Sequence, residues 1–176
     1  MIKLQVILPA ALAAVAIVLA PLGVHASESP ITPAEPSATD RAAFVGLVET
    51  FATAWNAHDA HAFAAIFAPD ADFTNILGDH ARGRDKVEAF HAPLFAGIFK
   101  LSHLNSAIRS VRMLTPDLAE VDVDWDMIGA MTPAGVAIPR RTGLGDLVLA
   151  RRSRGGWLIL VMHNAEFSRA ANPSPS

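Results

Sequence analysis

The chain has 176 residues, room for one ordinary domain, and is 52% apolar, with no cysteine, no tyrosine and a net charge of −3. Without cysteine there can be no disulfide, thiolate metal site, cysteine nucleophile or lipidated N-terminal cysteine. A mildly acidic surface gives no electrostatic case for nucleic acid or anionic lipid. The apolar residues are unevenly placed: 20 of them fall in the first 26 positions, which leaves the rest at about 48%, an ordinary globular value.

Residues 1–26 read as a signal peptide, with Lys3, a long apolar run, and small residues Val24 and Ala26 before Ser27. The competing reading is an uncleaved anchor, because Val6–Val24 is nearly long enough to span a bilayer. Pro9, Pro21 and the Val-His-Ala site favour cleavage. Either way the domain is exported, to the periplasm or the medium, and cleavage leaves no stable membrane insertion. Residues 27–38, with Pro30, Pro33 and Pro36 among small polar residues, predict a disordered linker, and residues 170–176 a disordered tail. The folded unit is then 39–169.

Thr39 or Asp40 can cap a helix whose Phe44, Leu47, Val48, Phe51 and Trp55 share one face at a 3.6-residue period. A second helix starts at Asp59, burying Phe63, Ile66 and Phe67, and Pro69-Asp70 ends it. Asp72–Leu77 reads as a strand and Gly78-Asp79 as a turn. A third helix runs from Arg84 to about Ile98, kinked or shortened by Pro93.

Long strands follow at Leu101–Leu114, Leu118–Ala130, Val136–Arg152 and Trp157–Phe167, separated by Pro- and Gly-containing turns. In the second, Val121, Val123, Trp125 and Met127 alternate with Asp122, Asp124 and Asp126, so one face is buried and the other wet. The aspartate row is either a solvated face or a cation site. Gly143 and Gly145 suggest a bulge or bend. In the last strand Trp157, Ile159 and Val161 fall on one face, Leu158, Leu160 and Met162 on the other. A strand apolar on both faces is covered twice, here by helices and by a second copy, which predicts a homodimer through the sheet. The fold class is α+β: three N-terminal helices packed on a strongly curved, mostly antiparallel sheet, a cone.

This order of elements resembles the SnoaL-like branch, often labelled SgcJ/EcaC, of the nuclear transport factor 2-like superfamily. The stretches that carry the likeness are Ala54–Asp59, Phe67–Phe73, Gly78 with Gly83-Arg84, His91, Phe99-Lys100, Val111-Arg112, Trp125, Pro139–Gly143, Gly156-Trp157 and His163-Asn164. The resemblance implies an apolar pocket between the concave sheet face and the long helix, with a few polar groups at its base. On the predicted elements those groups are Asp72 or Asn75, His91, Arg141 and His163 with Asn164, and Trp55 and Trp125 are aromatic walls.

His91 and His163 are candidate acids or bases, since only imidazole ordinarily titrates near neutrality, and each can equally be a structural histidine. Asp72 serves as a base if desolvated, or merely caps its turn. His163 and Asn164 are strand neighbours, so they point to opposite faces and do not share a ligand. The Tyr-plus-protonated-Asp oxyanion hole of ketosteroid isomerases has no tyrosine to use here. His58-x-x-His61 lacks an obvious third metal ligand, Gly143-Leu-Gly145 lies inside a strand, and no G-x-S-x-G elbow occurs.

These readings predict an exported dimer that binds a small apolar ligand with no cofactor or metal. If an enzyme, it moves protons as an isomerase, cyclase or hydrolase does, with His91 as acid or base and Arg141 or Asn75 polarising an oxygen. The alternatives are a non-catalytic carrier or sensor and a dimerisation scaffold.

Overall fold

A computed structural model describes residues 34–153 and 155–167. The leader at 1–26, most of the linker and the tail from 168 onward lie outside the described residues. The folded unit opens earlier than Thr39: Pro36 is buried, and Ser37 is the cap of the first helix, α1 (Ala38–Asn56). The Ser37 hydroxyl oxygen accepts from the Asp40 N–H at 3.1 Å and its O–H donates to the Asp40 carboxylate at 2.7 Å. That arrangement satisfies donors a helix start leaves open. Phe44, Leu47, Val48, Phe51 and Ala54 form the buried face of α1, as their spacing requires.

Asp59 caps α2 (Ala60–Ala65), accepting from the Ala62 N–H at 2.9 Å. The chain then enters β1 (Phe67–Thr74) at once, five residues before the predicted start. Pro69-Asp70 therefore interrupts a strand instead of ending a helix. Phe67 pairs with Ile159 and Asp72 with Val161, so the intervening residues swing out of register, where the missing Pro69 N–H costs no ladder bond. After β2 (His80–Arg82), α3 (Arg84–Ala96) runs past Pro93 and stops at Gly97.

The remaining strands are β3 (His103–Thr115), β4 (Leu118–Ile128), β5 (Arg141–Arg151) and β6 (Trp157–Glu166). The third long strand starts five residues later than predicted, because residues 129–140 form a loop held by a single Met131–Ala137 bridge. The sheet order is β2-β1-β6-β5-β4-β3, antiparallel throughout except for the parallel β1–β6 pair. The result is an α+β fold, helices packed on a curved open sheet of six strands.

Two details set which side chains face inward. Gly143 and Gly145 pair in unbroken register with β4 and with β6, so neither marks a bulge. The bulge lies in β6: Val148 pairs with Val161 and Leu149 with Ile159, leaving Leu160 as the extra residue. Beyond it the alternation is inverted, which turns Met162 inward and buries it, while Val161 faces out. The predicted grouping of Trp157, Ile159 and Val161 on one face is corrected by this one residue.

Candidate functional site

A cavity of about 990 Å³ lies between α3, the end of α1 and the inner sheet face. Its floor is made of buried Phe51, Phe63, Phe73, Leu104, Met127 and Met162, and its rim of exposed Leu77, Asp79, Arg140 and Phe167. Phenyl and indole rings dominate because α1 and α2 bring Phe51, Trp55 and Phe63 together and against Phe95 of α3, while Phe90 of α3 packs on Phe73 of β1.

His91 sits within that aromatic cluster and is only 2% exposed. Its ring centroid lies 4.4 Å from that of Phe63, 4.9 Å from Phe73 and 5.2 Å from Phe90. Nδ1 donates to the Val87 carbonyl one turn back, at 2.8 Å. Burial pushes the imidazole down to about 4, partly opposed by that backbone bond. At neutral pH His91 is therefore uncharged, with Nε2 bonded to no side chain among the described residues.

Trp55 is a wall, as expected, and its indole N–H donates to the Ser102 hydroxyl at 3.0 Å. Trp125 also lines the cavity, lying over Gly143, and its indole N–H is buried without a partner among the described residues. Asn75 borders the cavity but is committed to its own turn: its carbonyl oxygen accepts from Leu77 and Asp79 N–H, both at 2.8 Å, and its amide donates to the Asp79 carboxylate at 2.9 Å. Asn164 lines the cavity and donates to the Thr74 carbonyl at 3.4 Å.

Arg141 lines the cavity too, gripped by both oxygens of Glu166 at 2.8 and 2.7 Å. The guanidinium holds the Glu166 carboxyl below its usual range, ahead of a smaller opposing effect of burial. Glu166 was missed in the sequence, although it stands two residues beyond Asn164 and so on the same strand face. Arg140 at the rim is likewise taken by Asp126, with Nε at 2.8 Å from Oδ1. Arg140 thereby lowers the Asp126 carboxyl, mainly through that hydrogen bond.

Two candidates stand elsewhere. Asp72 faces the outer side of β1, because Phe73 takes the inner position; it pairs with His80 at 2.5 Å and Arg82 at 3.7 Å. His163 faces outward beside Asp146, because the Leu160 bulge gives the inner position to Asn164. The structure thus brings together His91, Trp55, Trp125, Asn75, Arg141 and Asn164, and leaves out Asp72 and His163. Other features resolve into local structure. His58 bonds the Ser102 carbonyl and His61 the Glu88 carboxylate, so they do not converge. Asp122 is bonded by Ser110 at 2.7 Å, Asp124 by Arg109, and Asp126 by Arg140.

Residues 48–150 match the family model for a SnoaL-like domain. No curated protein matches the chain. Among solved structures, an uncharacterised protein with a cystatin-like fold from Caulobacter vibrioides is 31% identical, covering 77% of this chain and 95% of its own, with a TM-score of 0.67. A domain of unknown function with a cystatin-like fold from Nostoc punctiforme is 26% identical, over 77% and 82%, also with a TM-score of 0.67. A protein described as a scytalone dehydratase, from Novosphingobium aromaticivorans, is 14% identical over 74% and 85% with a TM-score of 0.63, a likeness of fold alone.

Proposed function

Since the chain belongs to the SnoaL-like domain family, we propose that it is an exported protein whose cavity binds a small, uncharged, largely apolar organic molecule. The observation that carries this reading is the cavity itself: about 990 Å³, walled by aromatic rings, with its charged rim side chains already engaged. Such a volume is at the upper end of what small-molecule sites use. Arg140 with Asp126 and Arg141 with Glu166 leave neither of these two cavity guanidinium groups an unbalanced charge to neutralise an incoming carboxylate. A scaffold role needs a filled interior, and the open cavity weighs against it.

A second reading, cofactor-independent proton transfer of an isomerase, cyclase or hydrolase type, is favoured by one observation. The uncharged imidazole of His91 is a base in the lining of a largely apolar cavity. Among the described residues its only hydrogen-bond partner is a backbone carbonyl, where a catalytic base is ordinarily oriented by a second side chain. Binding is therefore placed ahead of catalysis. The finer assignment to the SgcJ/EcaC branch rests on the same stretches that carry the family likeness in the sequence.

The protein is further proposed to pair with a second copy through the outer sheet face, where Leu144, Val148, Leu158 and Val161 form a half-buried apolar strip. Native mass spectrometry of the protein recovered from the exporting cell reads all three features. The expected result is a chain starting at Ser27, in pairs, carrying a small organic adduct that solvent extraction removes. Bare protein that also fails to take up added naphthalene-class probes overturns the binding reading.

A further inference from the structure

We infer that the molecule bound in this cavity carries a hydrogen-bond donor, a hydroxyl or an N–H, on the end that reaches the floor, and that Nε2 of His91 accepts it. The inference rests on the binding reading above and adds the chemistry of the ligand's buried end.

The argument begins with the tautomer. The partner of Nδ1 is the Val87 carbonyl oxygen, 2.8 Å away, and a carbonyl oxygen only accepts. The ring hydrogen is therefore on Nδ1. With the imidazole held uncharged by its burial, Nε2 has a lone pair and no hydrogen. The ring cannot turn over to offer the opposite polarity without giving up the Val87 bond. It is also confined between Phe63, Phe73 and Phe90. Those neighbours are phenyl groups, which have no N–H or O–H to give.

Buried acceptors are nearly always hydrogen-bonded, to protein or to water. A ligand that displaces water from Nε2 without replacing its hydrogen bond loses affinity, whereas a hydroxyl in the same place keeps it.

The other polar groups of the cavity sharpen the selection. Trp55 donates to Ser102, Asn75 to Asp79 and Asn164 to Thr74, and the Trp125 N–H is buried. Both rim arginines are held by carboxylates. A ketone or carboxylate oxygen set against Nε2 would meet a lone pair, while an alcohol, phenol or amine would meet an available acceptor. The imidazole thus discriminates by hydrogen-bond polarity.

Calorimetric titration of the wild-type protein and of His91→Phe with 2-naphthol and with 2-methoxynaphthalene tests this. The two probes share a ring system and differ in whether their oxygen can donate. The wild type is expected to favour 2-naphthol relative to the variant, so that His91→Phe lowers the ratio of the two affinities about tenfold. Equal ratios in the two proteins would overturn the inference and leave the binding reading standing. Failure of the wild type to bind either probe would overturn both. Nitrogen-15 NMR of the wild type needs no variant: the His91 Nε2 resonance is expected to move upfield on adding 2-naphthol and to hold its place with 2-methoxynaphthalene. Equal movement with both probes would also overturn the inference.

Discussion

The burial of His91 sets how the fold responds to acid. Its folded value of about 4 lies below the ordinary 6.5, so between those two the unfolded chain binds more protons than the folded one. The contribution is fully present above about pH 6.5 and is lost as pH falls toward 4, a loss on the order of 3 kcal/mol. Urea unfolding at a series of pH values should show this decline, and His91→Phe should flatten it. Asp40 acts in a different window. Hydrogen bonds from Arg151 and then Ser37 hold its carboxyl down to about 2, against an ordinary 3.8. Its contribution is present above about pH 4 and is lost only between there and 2, so the two groups separate on the pH axis. Beside them, the residues that make the sequence recognisable prove to be structural. Asn56 exchanges two hydrogen bonds with the Leu104 backbone, at 2.9 and 2.7 Å, Trp55 bonds Ser102, and Asp59 caps α2. That stretch docks the end of α1 onto the start of β3, and its legibility reports the fold more than the chemistry.

At the scale of the element, β5 and β6 decide what the cavity is made of. Gly143 lies beneath the Trp125 indole, and a Cβ there would stand 2.2 Å from Cζ2 and 2.1 Å from the Ala165 carbonyl oxygen. Gly145 is more forgiving, since its Cβ would meet the ends of side chains, Leu147 at 3.2 Å, Met162 at 3.3 Å and Asn164 at 3.5 Å. Gly143→Ala should therefore destabilise by about 2 kcal/mol or more and displace Trp125, while Gly145→Ala should cost less. Thermal unfolding with tryptophan fluorescence measures both, and equal effects would contradict the packing described. The two glycines stood out in the sequence, but as signs of curvature. Their actual role depends on Trp125 lying across Gly143 in register, a contact between strands that no local pattern encodes. The Leu160 bulge is similar: period-two alternation is a local expectation, and the insertion that inverts it is defined only by pairing with β5.

For the whole molecule, the sheet order places β6 between β1 and β5, so the end of the chain completes a wall begun near residue 67. Phe73 and Met162 pair across that parallel seam, and His91 packs on Phe73. The proposed second copy would cover the other face, where Asp146 has a buried oxygen without a partner among the described residues. Desolvation, then Glu120 and Asp122, raise that carboxyl. If this face is the contact, sedimentation should show a dimer that Val148→Lys and Val161→Lys dissociate while the far-ultraviolet spectrum is unchanged. A dimer insensitive to both changes would place the contact elsewhere.

Caps, helical periods and turn residues act over a few positions of chain, so the sequence by itself determined the α+β class and most of the elements, though not β2 or the starts of β1 and β5. The family resemblance supplied eight candidate residues, of which six line the cavity: His91, Trp55, Trp125, Asn75, Arg141 and Asn164. Only the tertiary structure decided that Asn164 and not His163 turns inward, that Asp72 faces away, and that Arg141 is already held by Glu166. Those outcomes depend on strand register and on charges such as Arg141 and Glu166 meeting across 25 residues, and a side chain's chemistry is available to a ligand only after such partners have taken their share.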